Sequence, residues 1–180
     1  MIIRKMFTFE NAHIVRGSVS KKCALSLHGH SYKIETLLWA DRFKTGEIAL
    51  DFTRVKELFG WFIDSFDHSV AIWNKDKSAY IEAMKAHSDR WVVMPVNPSA
   101  EQFARVIFWF ARRALKGEKN IDVNSVIVHE TQSSYAQAFK EDITNPKMGV
   151  IKYEDFSFSE AVRKDWKKRD RFEKLFLDLS

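Results

Sequence analysis

The chain has 180 residues, a single cysteine, 46% hydrophobic residues with 15 phenylalanines among them, and a formal net charge of +5 with a pI near 9.3. That length fits one domain with at most an appendage, and one cysteine excludes an internal disulfide and suits a reducing cytoplasm. No apolar run reads as a signal peptide or reaches the ~18–20 residues of a membrane span, so a soluble cytoplasmic protein is expected. With no run of five like charges and no nucleic-acid motif, the modest positive charge points to a small anionic substrate rather than to nucleic acid.

Residues 2–13 read as a strand, with Ile3, Met6 or Phe7, Phe9 and Ala12 interspersed among polar positions and His13 at its end. Residues 14–27 hold Gly, Ser and Lys and read as a loop that carries Cys23 towards the second strand, residues 29–40. If His28 and His30 open that strand, its period of two aims both imidazoles at one face. Two neutral imidazoles suit zinc, which takes three protein ligands and keeps one position open in a catalytic site; His13 can supply the third. Singly, each residue has a plainer explanation, since a strand histidine is commonly structural and a lone cysteine a small buried hydrophobe. The combination of Phe-x-x-Ala-His, then Cys, then His-Gly-His-x-Tyr is much rarer by chance.

Asp41 to Gly46 reads as a turn and Ile48 to Phe52 as a short extended piece. Thr53 is expected to cap a helix running to about Ser65, with Val55, Leu58, Phe59, Phe62, Ile63 and Phe66 at i, i+3, i+4, i+7 spacing. Asp67-His68 follows; a carboxylate accepting from a ring N–H would fix the histidine's tautomer, and an exposed loop dipeptide explains the pair equally well. Ser78 to His87 fits a short helix and Arg90 to Pro95 an extended stretch. Asn97-Pro98-Ser99-Ala100-Glu101 starts a helix to about Leu115, with Phe103, Val106, Ile107, Phe110, Ala111 and Ala114 as its stripe and Gly117 as its stop. Glu101 reads as a first-turn charge. Asp122 to Thr131 and Tyr135 to Glu141 form a hairpin, in which Glu130 can accept from a guanidine-like edge. The order strand-strand-helix-helix-strand-strand predicts an α+β domain over residues 1–141, an antiparallel sheet with both helices on one face. Residues 142–180 read as an extension packed on that domain or at a subunit contact, with loops at Asn145-Pro146 and Gly149 and a mixed-charge helix from Ser159 to about Leu177.

Taken together, Phe9-Glu-Asn-Ala12-His13, Cys23 with His28-Gly29-His30-Ser-Tyr32, Gly46 leading to Asp51-Phe52, Asp67-His68, Pro98-Ser99-Ala100-Glu101 and His129-Glu130-Thr131 resemble the 6-pyruvoyltetrahydropterin and 6-carboxytetrahydropterin synthase family, from residue 2 to about 141. The resemblance implies a tunnelling fold: a four-stranded antiparallel sheet with two helices (ββααββ) in each subunit, and subunits joined into a barrel, commonly a hexamer of two trimers. It implies that His13, His28 and His30 bind zinc, that Cys23, Asp67 and His68 move protons in sites formed between subunits, and that Glu130 anchors a pterin ring. Zinc in such a site would polarise the substrate's side-chain oxygens and acidify the neighbouring C–H groups.

The Cys-to-His gap is nearer the bacterial carboxytetrahydropterin enzymes of queuosine biosynthesis than the animal pyruvoyl enzymes, though it is one residue longer than the common bacterial spacing. Gly46 to Asp51 is also one residue long, Pro-Ser-Ala-Glu stands where Pro-Thr-x-Glu is commoner, and residues 75–96 and the tail after 142 lie outside the usual pattern. Cys23 argues against variants that carry a glutamate in this region and act as aldolases. The expected reaction is zinc-dependent conversion of 7,8-dihydroneopterin triphosphate to 6-carboxytetrahydropterin, acetaldehyde and triphosphate. The alternatives are a pyruvoyl-forming lyase and a non-catalytic pterin-binding protein; a nucleic-acid binder, motivated by charge alone, ranks behind them.

Overall fold

The computed structural model of the chain describes residues 1–167. Strands β1 (Ile2–His13) and β2 (His28–Ala40) pair antiparallel along their whole length, from Ile2 opposite Trp39 to His13 opposite His28. Between them lies a short helix, α1 (Lys21–Leu25). Alternation puts Phe9, Tyr32, Ile34 and Leu38 on a buried face and Arg4, Thr8, Glu10 and Lys33 on an exposed one, so the period of two seen in the sequence becomes a two-sided sheet.

A helical run follows: α2 (Phe52–Val55), a π turn over Lys56–Gly60, and α3 (Trp61–Asp64). Its cap is Asp51 rather than the expected Thr53, because the Asp51 carboxylate accepts the Thr53 N–H at 2.6 Å. The expected stripe is buried from Val55 to Phe66, and the π turn widens it so that six consecutive residues, Leu58 to Ile63, are enclosed.

β3 (Ser69–Trp73) then pairs parallel with β1, α4 (Ser78–His87) crosses over, and β4 (Trp91–Met94) pairs parallel with β3. α5 (Ala100–Ala114) packs against β5 (Ile121–His129), which pairs antiparallel with β2, and β6 (Tyr135–Ala138) folds back on β5. α5 ends with Leu115 as its cap, and Gly117 is not in the left-handed conformation its expected role as a stop would use. α6 (Lys140–Thr144) replaces the end of the expected returning strand, with Asp142 accepting the Phe139 N–H at 2.8 Å. β7 (Ser157–Phe158) pairs antiparallel with β4 and leads into α7 (Glu160–Lys167); the end of the tail helix expected near Leu177 lies outside the described residues.

Among the described residues the sheet therefore has seven strands in the order β6-β5-β2-β1-β3-β4-β7, which corrects the expected four-stranded sheet. The antiparallel unit β6-β5-β2-β1 is present as one half. The other half is mixed, because β3 leaves the turn at residues 65–68 running alongside β1 in the same direction, and a parallel neighbour of β3 then requires a crossover, here α4. The core lies between one sheet face and the helices. Phe62 and Phe110 stack at 4.0 Å and 7°, and Phe9, Tyr32, Phe66 and Phe103 interlock at centroid distances of 4.9–5.7 Å. The tail enters the same core: Val162 and Trp166 are buried, and the Trp166 indole donates to Ser65 Oγ at 2.8 Å.

Candidate metal centre and cavity

β1 and β2 place the three histidines. His13 and His28 are direct partners across the ladder, and His30 shares their face one rung further along. Their ring centroids are 4.6 Å (His13–His28), 5.3 Å (His13–His30) and 5.1 Å (His28–His30) apart, and one ligand atom from each lies within 4.8 Å of the others. Gly29 permits this approach: a Cβ there would lie 3.1 Å from the Asn11 carbonyl oxygen on β1.

The protonation states suit a cation. His13 is fully buried, and burial lowers its pKa from 6.5 to about 4, so it is neutral at pH 7. Its Nδ1–H donates to the Pro98 carbonyl, and His28 Nδ1–H donates to the Ser26 carbonyl at 3.0 Å. A carbonyl can only accept, so both rings carry the proton on Nδ1 and turn the Nε2 lone pair outwards. Three imidazoles so arranged fit zinc, and other divalent ions that accept nitrogen ligands.

Glu130 stands beside this cluster. Val126, Val128 and Glu130 share a face at the end of β5, and Glu130 Oε1 lies 3.7 Å from His13 Nε2 and 3.8 Å from His30 Nε2. The Tyr32 hydroxyl donates to the same oxygen at 3.2 Å. Burial, with the Glu130 charge behind it, pushes the Tyr32 phenol well above its ordinary range, so it remains a donor. No role for Tyr32 emerged from the sequence, although its position two residues after His30 puts it on the histidines' face. The Pro98 carbonyl carries no sequence signal at all.

A cavity of about 240 Å³ opens here, lined by Cys23, His28, Glu101 and Glu130 among others. Cys23 is partly buried on α1. Glu101 is in the first turn of α5, as expected, and also lines the cavity.

Asp67 and His68 are not brought to this cavity within one chain. They end the turn before β3, and His68 lines a second, more open cavity with Glu10, Gly29, Arg90 and also His30 of the histidine cluster. Asp67 Oδ2 accepts from His68 Nδ1 at 2.9 Å while its Oδ1 accepts the Glu10 N–H at 2.8 Å, so the adjacent residues do pair. His68 holds φ at 50°, unusual for a residue with a side chain, and its N–H donates to the Glu10 carbonyl at 2.7 Å. Arg90 Nε donates to the Asp67 carbonyl at 2.9 Å.

Among the described residues, no helix is long and apolar enough to cross a membrane. Residues 2–141 match the family model described as 6-pyruvoyl tetrahydropterin synthase. The 6-carboxy-5,6,7,8-tetrahydropterin synthase of Helicobacter pylori (strain J99) is 33% identical over 185 residues, a match covering 99% of this chain and 92% of the relative. The enzyme of that name from Haemophilus influenzae is 28% identical over 141 residues, covering 75% of this chain and 96% of the relative. Among solved structures, an uncharacterized protein of Wolinella succinogenes superposes with a TM-score of 0.63 at 21% identity, covering 78% of this chain and 98% of its own. The 6-pyruvoyl tetrahydropterin synthase of Caenorhabditis elegans superposes with a TM-score of 0.57 at 18% identity, covering 77% and 94%.

Proposed function

The chain belongs to the 6-pyruvoyl tetrahydropterin synthase family, and from that premise we propose that it is a cytoplasmic, zinc-dependent lyase. Its reaction converts 7,8-dihydroneopterin triphosphate to 6-carboxy-5,6,7,8-tetrahydropterin with release of acetaldehyde and triphosphate, a step of queuosine biosynthesis. The observation that carries this reading is the cluster of three imidazoles beside the Glu130 carboxylate, of which His28 and Glu130 line a cavity that Cys23 also lines. The H. pylori relative, matched along nearly the whole chain, supports the carboxy product.

His13, His28 and His30 would hold the zinc, which when bound would act as a Lewis acid on the substrate's side-chain oxygens. Glu130 accepts the amino and ring N–H groups of the pterin, and the Tyr32 hydroxyl orients its carboxylate. Cys23 takes a proton from the acidified carbon of the side chain. Asp67 fixes the tautomer of His68, which relays protons. Because His68 and Cys23 line different cavities of one chain, this division of labour requires a second copy to bring its Asp67–His68 pair to the Cys23 cavity. A homohexameric barrel with sites between subunits would provide that.

The test is mass spectrometry of the products formed by zinc-loaded protein from 7,8-dihydroneopterin triphosphate. 6-Carboxytetrahydropterin with acetaldehyde is expected. A 6-pyruvoyl product would assign the chain to the pyruvoyl branch, and zinc binding without any product would leave a pterin-binding protein.

A further inference from the structure

Cys23 sits on a five-residue helix, α1, that buries no side chain and has no side-chain cap at Ser20. So short a helix does not hold itself in place. Two bonds from the preceding strand end do hold it: the Val15 N–H donates to the Cys23 carbonyl at 2.9 Å, and Arg16 Nη1 donates to the Ala24 carbonyl at 3.2 Å. Arg16 is fixed in turn by the β3–β4 crossover and by Asn97, which lies between β4 and α5. Its Nε donates to Asp76 Oδ1 at 2.6 Å, and its guanidinium lies over the Tyr80 ring at 5.1 Å. Its backbone N–H donates to Asn97 Oδ1 at 3.1 Å, and Asn97 Nδ2 donates to its carbonyl at 2.7 Å. The Asp76 side chain is 4% exposed, so the ion pair is shielded in a way that surface pairs are not. Asp76 and Tyr80 belong to the crossover between β3 and β4, which the three-histidine site and Glu130 do not use. A guanidinium fork can bridge Asp76 and Ala24 at once; an ammonium group meets them poorly.

We propose that Asp76 and Arg16 are positioning residues for Cys23, the β3–β4 crossover reaching through them to hold the helical turn that presents the thiol. The proposal rests on the reading of Cys23 as the proton-accepting group. Cys23 is the only cysteine of the chain, so its alkylation reports on one thiol.

The experiment compares iodoacetamide alkylation rates and steady-state turnover of 7,8-dihydroneopterin triphosphate for zinc-loaded wild type, Asp76→Asn, Arg16→Met and Arg16→Lys. Loss of a charge-assisted bond to a shielded partner should speed alkylation by about tenfold in Asp76→Asn and Arg16→Met. It should lower kcat by a similar factor with KM and zinc content unchanged, and Arg16→Lys should recover part of both effects. If Arg16→Met does not fold, Asp76→Asn and Arg16→Lys decide. Alkylation of Asp76→Asn at the wild-type rate overturns the proposal, whatever its turnover. A wild type without turnover overturns the proposed reaction, and the alkylation rates still decide whether Asp76 and Arg16 position the thiol.

Discussion

Replacing Arg105 by alanine should destabilise the protein by about 3–5 kcal/mol. Arg105 lies in the middle of α5, only 3% exposed. Its guanidinium donates to the Asp142 carbonyl at 3.0 Å, the Gly149 carbonyl at 2.8 Å, the Met148 carbonyl, and Gln102 Oε1 at 2.6 Å. Burial lowers its pKa, the nearby Asp142 charge offsets part of that, and its hydrogen bonds go to three backbone carbonyls and one amide oxygen. A hydrogen bond from a charged donor contributes about 1.5–3 kcal/mol, and deletion strands three carbonyls at once. Because the segment from α6 to Gly149 is mostly exposed, water can reach part of what is lost, which keeps the total below the simple sum. Urea unfolding followed by tryptophan fluorescence measures the change, and the loss corresponds to about 6–20 °C in Tm for a domain of this size. Arg105→Met keeps most of the volume but offers no donor, so it should lose nearly as much as alanine. If Arg105→Met stays within about 1 kcal/mol of wild type, the guanidinium is not what holds residues 142–149, and the reasoning fails.

Three further outcomes are expected. Metal-free protein should lose stability on acidification: the unfolded chain protonates His13 below pH 6.5 while the folded chain resists to about 4, so stability is full above 6.5 and falls by about 3 kcal/mol as pH drops towards 4. Urea midpoints across that window, flatter for His13→Gln, check this. Gly29→Ala should press its Cβ onto the Asn11 carbonyl, spread β1 from β2 at the histidines and weaken zinc affinity by about tenfold in a competition titration, with the circular dichroism spectrum unchanged. Phe110→Ala removes a ring that stacks on Phe62 and meets Trp61 edge-on at 4.8 Å, and should cost about 3–5 kcal/mol in the same urea assay.

The histidine cluster could be read from the sequence because strand parity is a local property: once residues 2–13 and 28–40 are strands, His28 and His30 must share a face. The helix stripes were legible for the same reason. The parallel half of the sheet was not. Ser69–Trp73 and Trp91–Met94 are too short to show a period, and their partners are set by a crossover that the sequence does not announce. Arg105 shows a different limit. An arginine within an apolar stripe reads as a solvated charge, and the carbonyls that receive it have no side-chain identity to read. The Asp51 cap was missed because Thr53, two residues on, is an equally competent cap by residue type.

The order of the sheet has a consequence for how the chain is made. β4 has β3 on one side, and its other side stays open until Ser157 and Phe158 arrive to pair with Val93 and Val92. In the finished protein Val92 and Met94 are wholly enclosed. During synthesis they form the bare rim of a growing sheet while the next sixty or so residues emerge, and a bare apolar rim invites pairing with another chain. A strand of two residues adds little through its own bonds. Its larger effect is as a stopper: a chain interrupted before residue 157 would be expected to fail by clumping before it failed by losing its histidine site.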